Sequence, residues 1–332
     1  MIHRVKKSAP LVWVVGAGGL LGSAVSIELG SEAWRPKRSL RWHNGADLTT
    51  DFHEAIVAFG QQVVASGRRS WAIVWCAGAG VVGTSAEALS AETAAFQSFL
   101  QLVALDPNLQ QARGHVVLAS SAGGVFGGSL ACPITEATLP EPISAYGRAK
   151  LLQEQILVEW AQKRAPGIAT LVARFSNLYG PAQRLDKPQG LISHISRCVI
   201  HNAPVHVYVS LDTIRDYLFS GDAGRRLILG LAELVREAPR ANPHVMKVYA
   251  SEREISIAGL LGVFRQIARR RLRVVSGLSP VGALQPRRLQ FRSRVWPGNM
   301  GRQVELIEGV SRVYSHQLAR FGQGQLPAPY GL

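Results

Sequence analysis

The chain has 332 residues, which is enough for one large α/β domain or two smaller ones. Its 47% hydrophobic and 18% charged residues exclude a disordered polymer and fit a compact soluble protein. The net charge of +15 favours anionic ligands, but the run Arg269–Arg273 contains no aromatic residue. We therefore expect a solvated basic face and no nucleic-acid partner.

The cysteines and the first residues indicate a compartment. Cys76, Cys132 and Cys198 form an odd count without metal-ligand spacing, so we expect neither a disulfide framework nor a metal site. The chain begins with a basic stretch, Met1–Lys7, and the apolar run after it is too short and too rich in glycine to span a membrane. These features predict a cytoplasmic protein.

The first apolar run, Leu11–Val15, predicts a fully buried strand of a parallel sheet. Glycines at positions 16, 19 and 22 follow it, and an apolar-periodic run then continues to Leu29. Such glycines let the backbone turn sharply and approach a pyrophosphate at the amino end of the next helix. This segment therefore predicts a dinucleotide-binding loop.

Strand-like and helix-like runs alternate through the first two-thirds of the chain, as in βαβ units with a parallel sheet. Strands are predicted at Leu11–Val15, Ala72–Ala77, His115–Ala119 and Ala169–Ala173, with a helix at Ala91–Leu105. Later elements are predicted at Gly190–Ile200 (helix), Val205–Val209 (strand), Gly221–Val235 (helix), Met246–Tyr249 (strand) and Ser256–Arg270 (helix). The fold class is thus predicted as α/β, with a Rossmann-type doubly wound parallel sheet.

A second motif lies on a predicted helix that continues to about Lys163. Tyr146 and Lys150 are four residues apart, so a helix places the phenol and the ammonium group on one face. There the cation stabilises the phenolate, which suits the tyrosine to give or take a proton. Together with the glycine loop, this pair favours a nicotinamide-dependent oxidoreductase or epimerase.

Five ordered blocks between Leu11 and Val313 resemble the extended short-chain dehydrogenases/reductases, and among them the nucleotide-sugar epimerase/dehydratase group. The blocks are the glycine loop Gly16–Gly22, the serine block Ser120–Gly127, the helix Ser144–Lys150, the stretch Arg174–Pro181 and the block Arg215–Tyr217. The resemblance implies hydride transfer between a sugar hydroxyl carbon and a nicotinamide. It also implies a smaller carboxy-terminal substrate domain beside the Rossmann sheet.

The resemblance assigns catalytic roles to three residues. Tyr146 would exchange the hydroxyl proton, and Lys150 would hold the phenolate and the ribose hydroxyl groups. The family's serine or threonine position holds Ala122 here, so Ser121, one residue earlier, is the candidate. Glycines at 123 and 124 would let that loop shift, while a serine that only ends a strand is the alternative.

Substrate contacts are implied for Ser121, Asn177 and Arg215. A guanidinium suits the substrate diphosphate because its planar fork binds two phosphate oxygens at once. A structural salt bridge from Arg215 to Asp216 or Asp222 is the alternative.

The nicotinamide cofactor is predicted as NAD(P), with NADP slightly favoured over NAD. No acid ends a recognisable second strand, where it would bind the adenosine ribose of NAD. Arg35, Lys37, Arg38 and Arg41 lie there instead and suit a 2′-phosphate, unless they form a solvated loop. Asp47 and Leu48 resemble the family's adenine-contact dipeptide. The expected cofactor contacts are Gly16, Gly19, Leu20, Leu21, Gly22, Arg38, Asp47, Leu48, Ala77, Gly78 and Lys150.

The family comparison orders the candidate functions. A nucleotide-sugar 4-epimerase comes first, an NADPH-dependent keto-sugar reductase second, and a non-catalytic dinucleotide-binding redox sensor is the alternative from another class. Dehydration is disfavoured because Gly123 and Gly124 replace the acid–base pair that eliminates water. The partner would be a nucleotide-sugar, and the sequence leaves a homodimer open. We expect a Rossmann domain over residues 8–180 with part of 207–250, and a substrate domain over 181–206 and 251–330.

Overall fold

The computed structural model describes residues 9–163, 167–185, 190–241, 243–277, 286–298 and 301–329. The outermost limits of the two expected domains, residues 8 and 330, lie outside these ranges. The strands are β1 (Leu11–Val15), β2 (Ala33–Trp34), β3 (Ser70–Trp75), β4 (Arg113–Ser121), β5 (Ile168–Phe175), β6 (Asn177–Tyr179), β7 (Val205–Val207), β8 (Ile214–Phe219), β9 (His244–Tyr249), β10 (Glu254–Ser256) and β11 (Val274–Ser276). The helices are α1 (Leu20–Leu29), α2 (Gly45–Ala65), α3 (Ala86–Leu105), α4 (Pro107–Gln110), α5 (Ala122–Val125), α6 (Ala145–Lys163), α7 (Leu191–Ile200), α8 (Ser220–Ala241), α9 (Ile257–Ala268) and α10 (Leu306–Gly322).

A six-stranded parallel sheet forms the centre of the molecule, in the order β2-β1-β3-β4-β5-β9. The chain moves from β1 to β2 in one direction and from β3 to β5 in the other, so strand order reverses between β1 and β3. In open α/β sheets, ligands bind at such a switch point, outside the carboxyl ends of the strands. The predicted α/β fold class is confirmed.

Helices cover both faces of this sheet, which explains why every residue of β1 and β3 is buried. On one face, α2, α3 and α6 enclose an aromatic core, where the Trp13 ring centroid lies 5.0 Å from Trp34 and 5.4 Å from Phe99. On the other face, α1 and α8 pack on the sheet through residues such as Leu21 and Leu227. The strand predicted at Met246–Tyr249 is β9, which pairs with β5 at the edge of the sheet.

A second core lies among α7, α9, α10 and the short strands β7 and β8. Alternate residues of β8 face different cores. Tyr217 and Phe219 pack in this second core, whereas Leu218 packs with α1 and α8 on their face of the six-stranded sheet. β8 therefore joins the second core to the Rossmann sheet. Together with β6 and β10 it forms a small three-stranded sheet.

A carboxy-terminal segment, residues 287–293, connects both parts of the molecule. The Arg287 carbonyl accepts a 2.9 Å hydrogen bond from the Ile214 amide, and the Gln290 carbonyl accepts one of 2.8 Å from the Ile134 amide. Phe291 is fully buried against α5. We call residues 287–293 the tail segment.

Three elements differ from the sequence expectations. α2 and α10 form regular helices of 21 and 17 residues in stretches for which the sequence indicated no helix. The block Arg215–Tyr217 lies within a strand, β8, because its charged residues find partners inside the protein. β2 has only two residues, as expected for the short connection before Asp47. Within the described residues, no helix is both long and apolar enough to cross a membrane.

Candidate active site

Backbone atoms lie close against Gly16 and Gly22 in the glycine loop after β1. Gly16 has a φ of +87°, and a Cβ there would lie 2.5 Å from the Ala77 amide nitrogen. A Cβ on Gly22 would lie 2.1 Å from the Gly16 carbonyl oxygen, which accepts a 3.1 Å hydrogen bond from the Gly19 amide. No described side chain caps the amino terminus of α1, which begins at Leu20. The loop thus fits a dinucleotide pyrophosphate.

The basic residues after β2 do not share one environment. Arg35, Lys37 and Arg38 are exposed. Arg41 instead binds Asp51, with 2.7 Å between Nη2 and Oδ1, and this hydrogen-bonded pairing holds the pKa of Asp51 below its ordinary value. Arg41 is therefore engaged by Asp51. The 2′-phosphate contact stays a prediction for Arg38, with Arg35 and Lys37 as its exposed neighbours.

Asp47 and Leu48 both have partners within the protein. The Asp47 carboxylate forms an ion pair with Arg41 Nη1 at 3.1 Å and accepts a hydrogen bond from Asn44 Nδ2 at 2.9 Å. Leu48 is buried in the aromatic core beside Phe52. The adenine contact expected for this dipeptide stays a prediction.

The turn after β3 joins the glycine loop to the predicted catalytic pair. Ala77 contacts Gly16 through its backbone, as described above. At the next residue, Gly78, a Cβ would lie 3.3 Å from the Nζ atom of Lys150. Lys150 itself is 6% exposed. Gly16, Ala77, Gly78 and Lys150 therefore form one continuous path along the carboxyl ends of β1 and β3.

Tyr146 lies at the end of this path, one turn before Lys150 on α6. Its ring fits between two glycines: a Cβ on Gly80 would approach the ring at 3.5 Å, and one on Gly124 would approach it at 3.0 Å. Lys150 Nζ is 5.9 Å from the ring centroid. The helix thus brings the phenol and the ammonium group together, as the four-residue spacing predicts.

Glu92 is a residue of this site that the sequence interpretation missed. Its Oε1 atom is 3.2 Å from Lys150 Nζ, which also donates a 3.0 Å hydrogen bond to Gln153. The available signal was its position on α3, three residues after buried Leu89 and next to buried Thr93. That spacing places the carboxylate on the inward face of the helix.

The two serines at the end of β4 have different roles. Ser120 is buried and donates a 2.5 Å hydrogen bond to Glu154, whose carboxylate also binds Arg174 at 2.6 Å. Ser121 is partly exposed and accepts a 3.1 Å hydrogen bond from the Gly124 amide at the start of α5. Gly124, whose amide donates to Ser121, also lies against the Tyr146 ring.

Asn177 and Arg215 lie on the neighbouring strands β6 and β8. Asn177 Nδ2 donates a 2.9 Å hydrogen bond to the Asp216 carbonyl oxygen. Arg215 is 7% exposed, its Nη1 donates to the Ile214 carbonyl at 2.9 Å, and burial lowers the pKa of its guanidinium. The small sheet therefore places the two predicted substrate residues on adjacent strands.

The acids offered as salt-bridge partners of Arg215 hold other groups. Asp216 accepts hydrogen bonds of 2.8 Å from both the amide and the hydroxyl of Ser251. Asp222 accepts 2.8 Å hydrogen bonds from Arg225 and from the Val304 amide. Both carboxylates thus tie neighbouring segments to β8 and α8.

The chain matches the model of the NAD dependent epimerase/dehydratase family over residues 12–242, and it belongs to this family. A curated relative, the dTDP-4-dehydro-6-deoxyglucose reductase of Escherichia coli, is 32% identical over 107 residues. That match covers 32% of this chain and only 33% of the reductase. The family that the five sequence blocks resemble is thereby confirmed.

Two solved structures share the fold over nearly their whole length. RMD from Pseudomonas aeruginosa complexed with NADPH has a TM-score of 0.73 and 17% identity, covering 94% of this chain and 100% of that one. The UDP-glucose 4-epimerase of Thermus thermophilus in complex with NAD has a TM-score of 0.71 and 19% identity, covering 92% and 98%. One neighbour holds NADPH and the other NAD, so the preference for NADP stays a prediction.

Substitution of Gly22 by Ala tests the glycine loop. The added Cβ meets the Gly16 carbonyl, and overpacking of this kind costs about 1–3 kcal/mol. We expect the affinity for NAD(P)H, measured by fluorescence titration, to fall by about tenfold or more. Gly18→Ala is the matched control, because a Cβ at Gly18 meets no atom within 4 Å. Equal affinities for the two variants would contradict the assignment of the loop.

Proposed function

We propose that this protein is an NAD(P)-dependent nucleotide-sugar 4-epimerase that uses Tyr146 and Lys150 for acid–base chemistry. The observation that carries the proposal is the continuous path from Gly16 through Ala77, Gly78 and Lys150 to Tyr146. This path runs along the switch point of the sheet, which supports a single site that holds both a phosphate-binding loop and a proton-transferring phenol. A protein that only bound dinucleotide would need the first group and not the second.

The residues divide the chemistry among them. When bound, the nicotinamide supplies the hydride acceptor and donor. Tyr146 takes the proton from the sugar hydroxyl as the carbon is oxidised and returns it after the keto sugar has turned. Lys150 holds the phenolate form through its charge, and Ser121 hydrogen-bonds the reacting oxygen. Gly124 lets the Tyr146 ring lie directly against the backbone of the turn after β4.

The substrate diphosphate is assigned to Arg215. A buried guanidinium on a strand is well suited to fix a diphosphate, because its side chain is already held in place and loses little conformational entropy on binding. Asn177 lies on the adjacent strand and is proposed as a further substrate contact. With the diphosphate fixed, the sugar alone can turn between the two hydride-transfer steps.

A keto-sugar reductase is the second candidate, and one observation favours it. Arg35, Lys37 and Arg38 are exposed directly after β2, where a 2′-phosphate of NADP would lie. A reductase consumes NADPH in proportion to product, whereas an epimerase does not.

A panel of UDP-, GDP- and dTDP-sugars, with and without NADPH, separates the candidates. An epimerase converts a sugar to its C4 epimer with no net change in nicotinamide absorbance, read by sugar stereochemistry. Stoichiometric loss of NADPH identifies a reductase instead. If dinucleotide binds and no nucleotide-sugar protects the protein against thermal unfolding, the redox sensor is the correct function.

Replacement of Tyr146 by Phe removes only the oxygen that transfers the proton. We expect turnover to fall by about 10²–10⁴-fold, the usual contribution of a general acid–base group. Dinucleotide affinity should stay near the wild-type value because the phosphate loop is unchanged. Retained turnover in this variant would exclude the proposed acid–base role.

The two serines make a matched pair of variants. Ser121→Ala should lower kcat, whereas Ser120→Ala should lower the free energy of unfolding by about 1–3 kcal/mol, because the buried Glu154 carboxylate loses one of its hydrogen-bond donors. Rates and thermal denaturation of both variants provide the comparison. Unchanged rates in Ser121→Ala would remove this serine from the mechanism.

Arg215→Lys keeps the charge and loses the fork that binds two oxygens. We expect the affinity for UDP-sugars to fall while dinucleotide affinity and the melting temperature are retained. Calorimetric titration and thermal denaturation measure the two properties separately. A lower melting temperature with unchanged substrate affinity would assign Arg215 a structural role.

A further inference from the structure

Glu92 is built into the site rather than placed on its surface. Its Oε2 atom accepts hydrogen bonds from the amides of Ala79 and Gly80, at 2.9 and 3.0 Å, while Oε1 faces Lys150. The side chain of Glu92 is 15% exposed and that of Lys150 is 8% exposed. Solvent therefore screens this ion pair only weakly.

The turn after β3 is shaped to receive the carboxylate. Gly78 has a φ of +151°, and a Cβ there would lie 2.7 Å from Glu92 Oε1. A Cβ on Gly80 would lie 3.4 Å from Glu92 Oε2. Because both positions are glycine, the carboxylate rests directly on the backbone of the turn and meets Lys150 across it.

Glu92 carries its charge in this position. Burial by itself would raise its pKa, but Lys150 and the two amide donors outweigh burial and hold the pKa below its ordinary value. A carboxylate that stays ionised near neutral pH is a fixed negative charge beside Lys150, the same ammonium group that lies next to the Tyr146 ring.

The other groups around the ion pair do not replace this charge. Burial raises the pKa of the Cys76 thiol at the end of β3 to about 12, so the thiol is neutral. Glu154 on α6 is bound by Arg174 of β5. Arg148 on α6 is exposed and donates to the Ile143 carbonyl, and the hydroxyls that end β4 are uncharged. Glu92 is thus the acid that faces Lys150 directly.

We propose that Glu92 is a positioning residue that offsets the charge of Lys150 and so raises the pH at which Tyr146 releases its proton. A nearby carboxylate disfavours a second negative charge, and the phenolate would be that second charge. The effect on catalysis rests on the proposed function, whereas the effect on Tyr146 does not.

Glu92→Gln is the most direct test. The amide oxygen can still accept from Ala79 and Gly80, so the turn keeps its anchor while the charge is lost. We expect the limb of the pH–rate profile that belongs to Tyr146 to move to lower pH by about one unit, in either reaction direction. Glu159→Gln is the matched control: it removes the same charge from an exposed position on α6 that pairs with Lys163, and its profile should not move.

A second readout needs no substrate. The ultraviolet absorbance of tyrosinate, taken as the difference from a Tyr146→Phe background, should rise at lower pH in Glu92→Gln than in the wild type. If this shift occurs and no nucleotide-sugar is converted, the role of Glu92 stands and the epimerase proposal fails. If neither readout shifts, the role of Glu92 is wrong.

Glu92→Asp covers the case in which the Gln variant does not fold. The shorter side chain keeps the charge but withdraws it from Lys150, so a smaller shift in the same direction is expected. A folded Asp variant with the wild-type midpoint would overturn the proposal.

Discussion

The buried ion pair between Glu154 and Arg174 fixes the helix on which the candidate chemistry depends. Both side chains are almost fully buried, and the pair is bidentate, with a further hydrogen bond from Ser120. Burial of two charges is costly unless such hydrogen bonds satisfy them, and loss of one partner leaves about 3–5 kcal/mol uncompensated. The pair ties α6 to β4 and β5. One turn towards the amino end, the same helix carries Lys150, and two turns away it carries Tyr146.

The site therefore consists of charged side chains that come together at the carboxyl ends of the parallel strands. Glycines at the carboxyl ends of β1, β3 and β4 remove side chains from that edge, and the groups on α3 and α6 fill the space. Lys150 and Glu92 meet there because no Cβ separates them. The absence of side chains at these glycines explains how the glycine loop, the Glu92–Lys150 ion pair and the Tyr146 phenol come close together in space at the carboxyl ends of the strands.

The features of this arrangement that depend on local sequence patterns could be predicted from the sequence. The glycine loop, the apolar strands and the Tyr146–Lys150 spacing are set by short-range geometry, and the structure has them where they were expected. Glu92 and the commitment of Arg41 to Asp51 could not be found that way, because each depends on a partner brought near by folding. The block at Arg215 was recognised by its residues, but its placement inside β8 depends on hydrogen-bond donors from other segments, such as Ser251, which donates to Asp216.

The tail segment has a consequence for how the chain reaches this state. Ser293 donates a 2.5 Å hydrogen bond to Glu136, 157 residues earlier, and Phe291 fills the core beneath α5. Contacts between such distant positions require a large loop to close first. During synthesis, the first five strands can leave the ribosome and pair before the residues of the tail segment that pack against α5 have been made. The Rossmann half of the protein is thus completed only by residues from the last fifth of the chain.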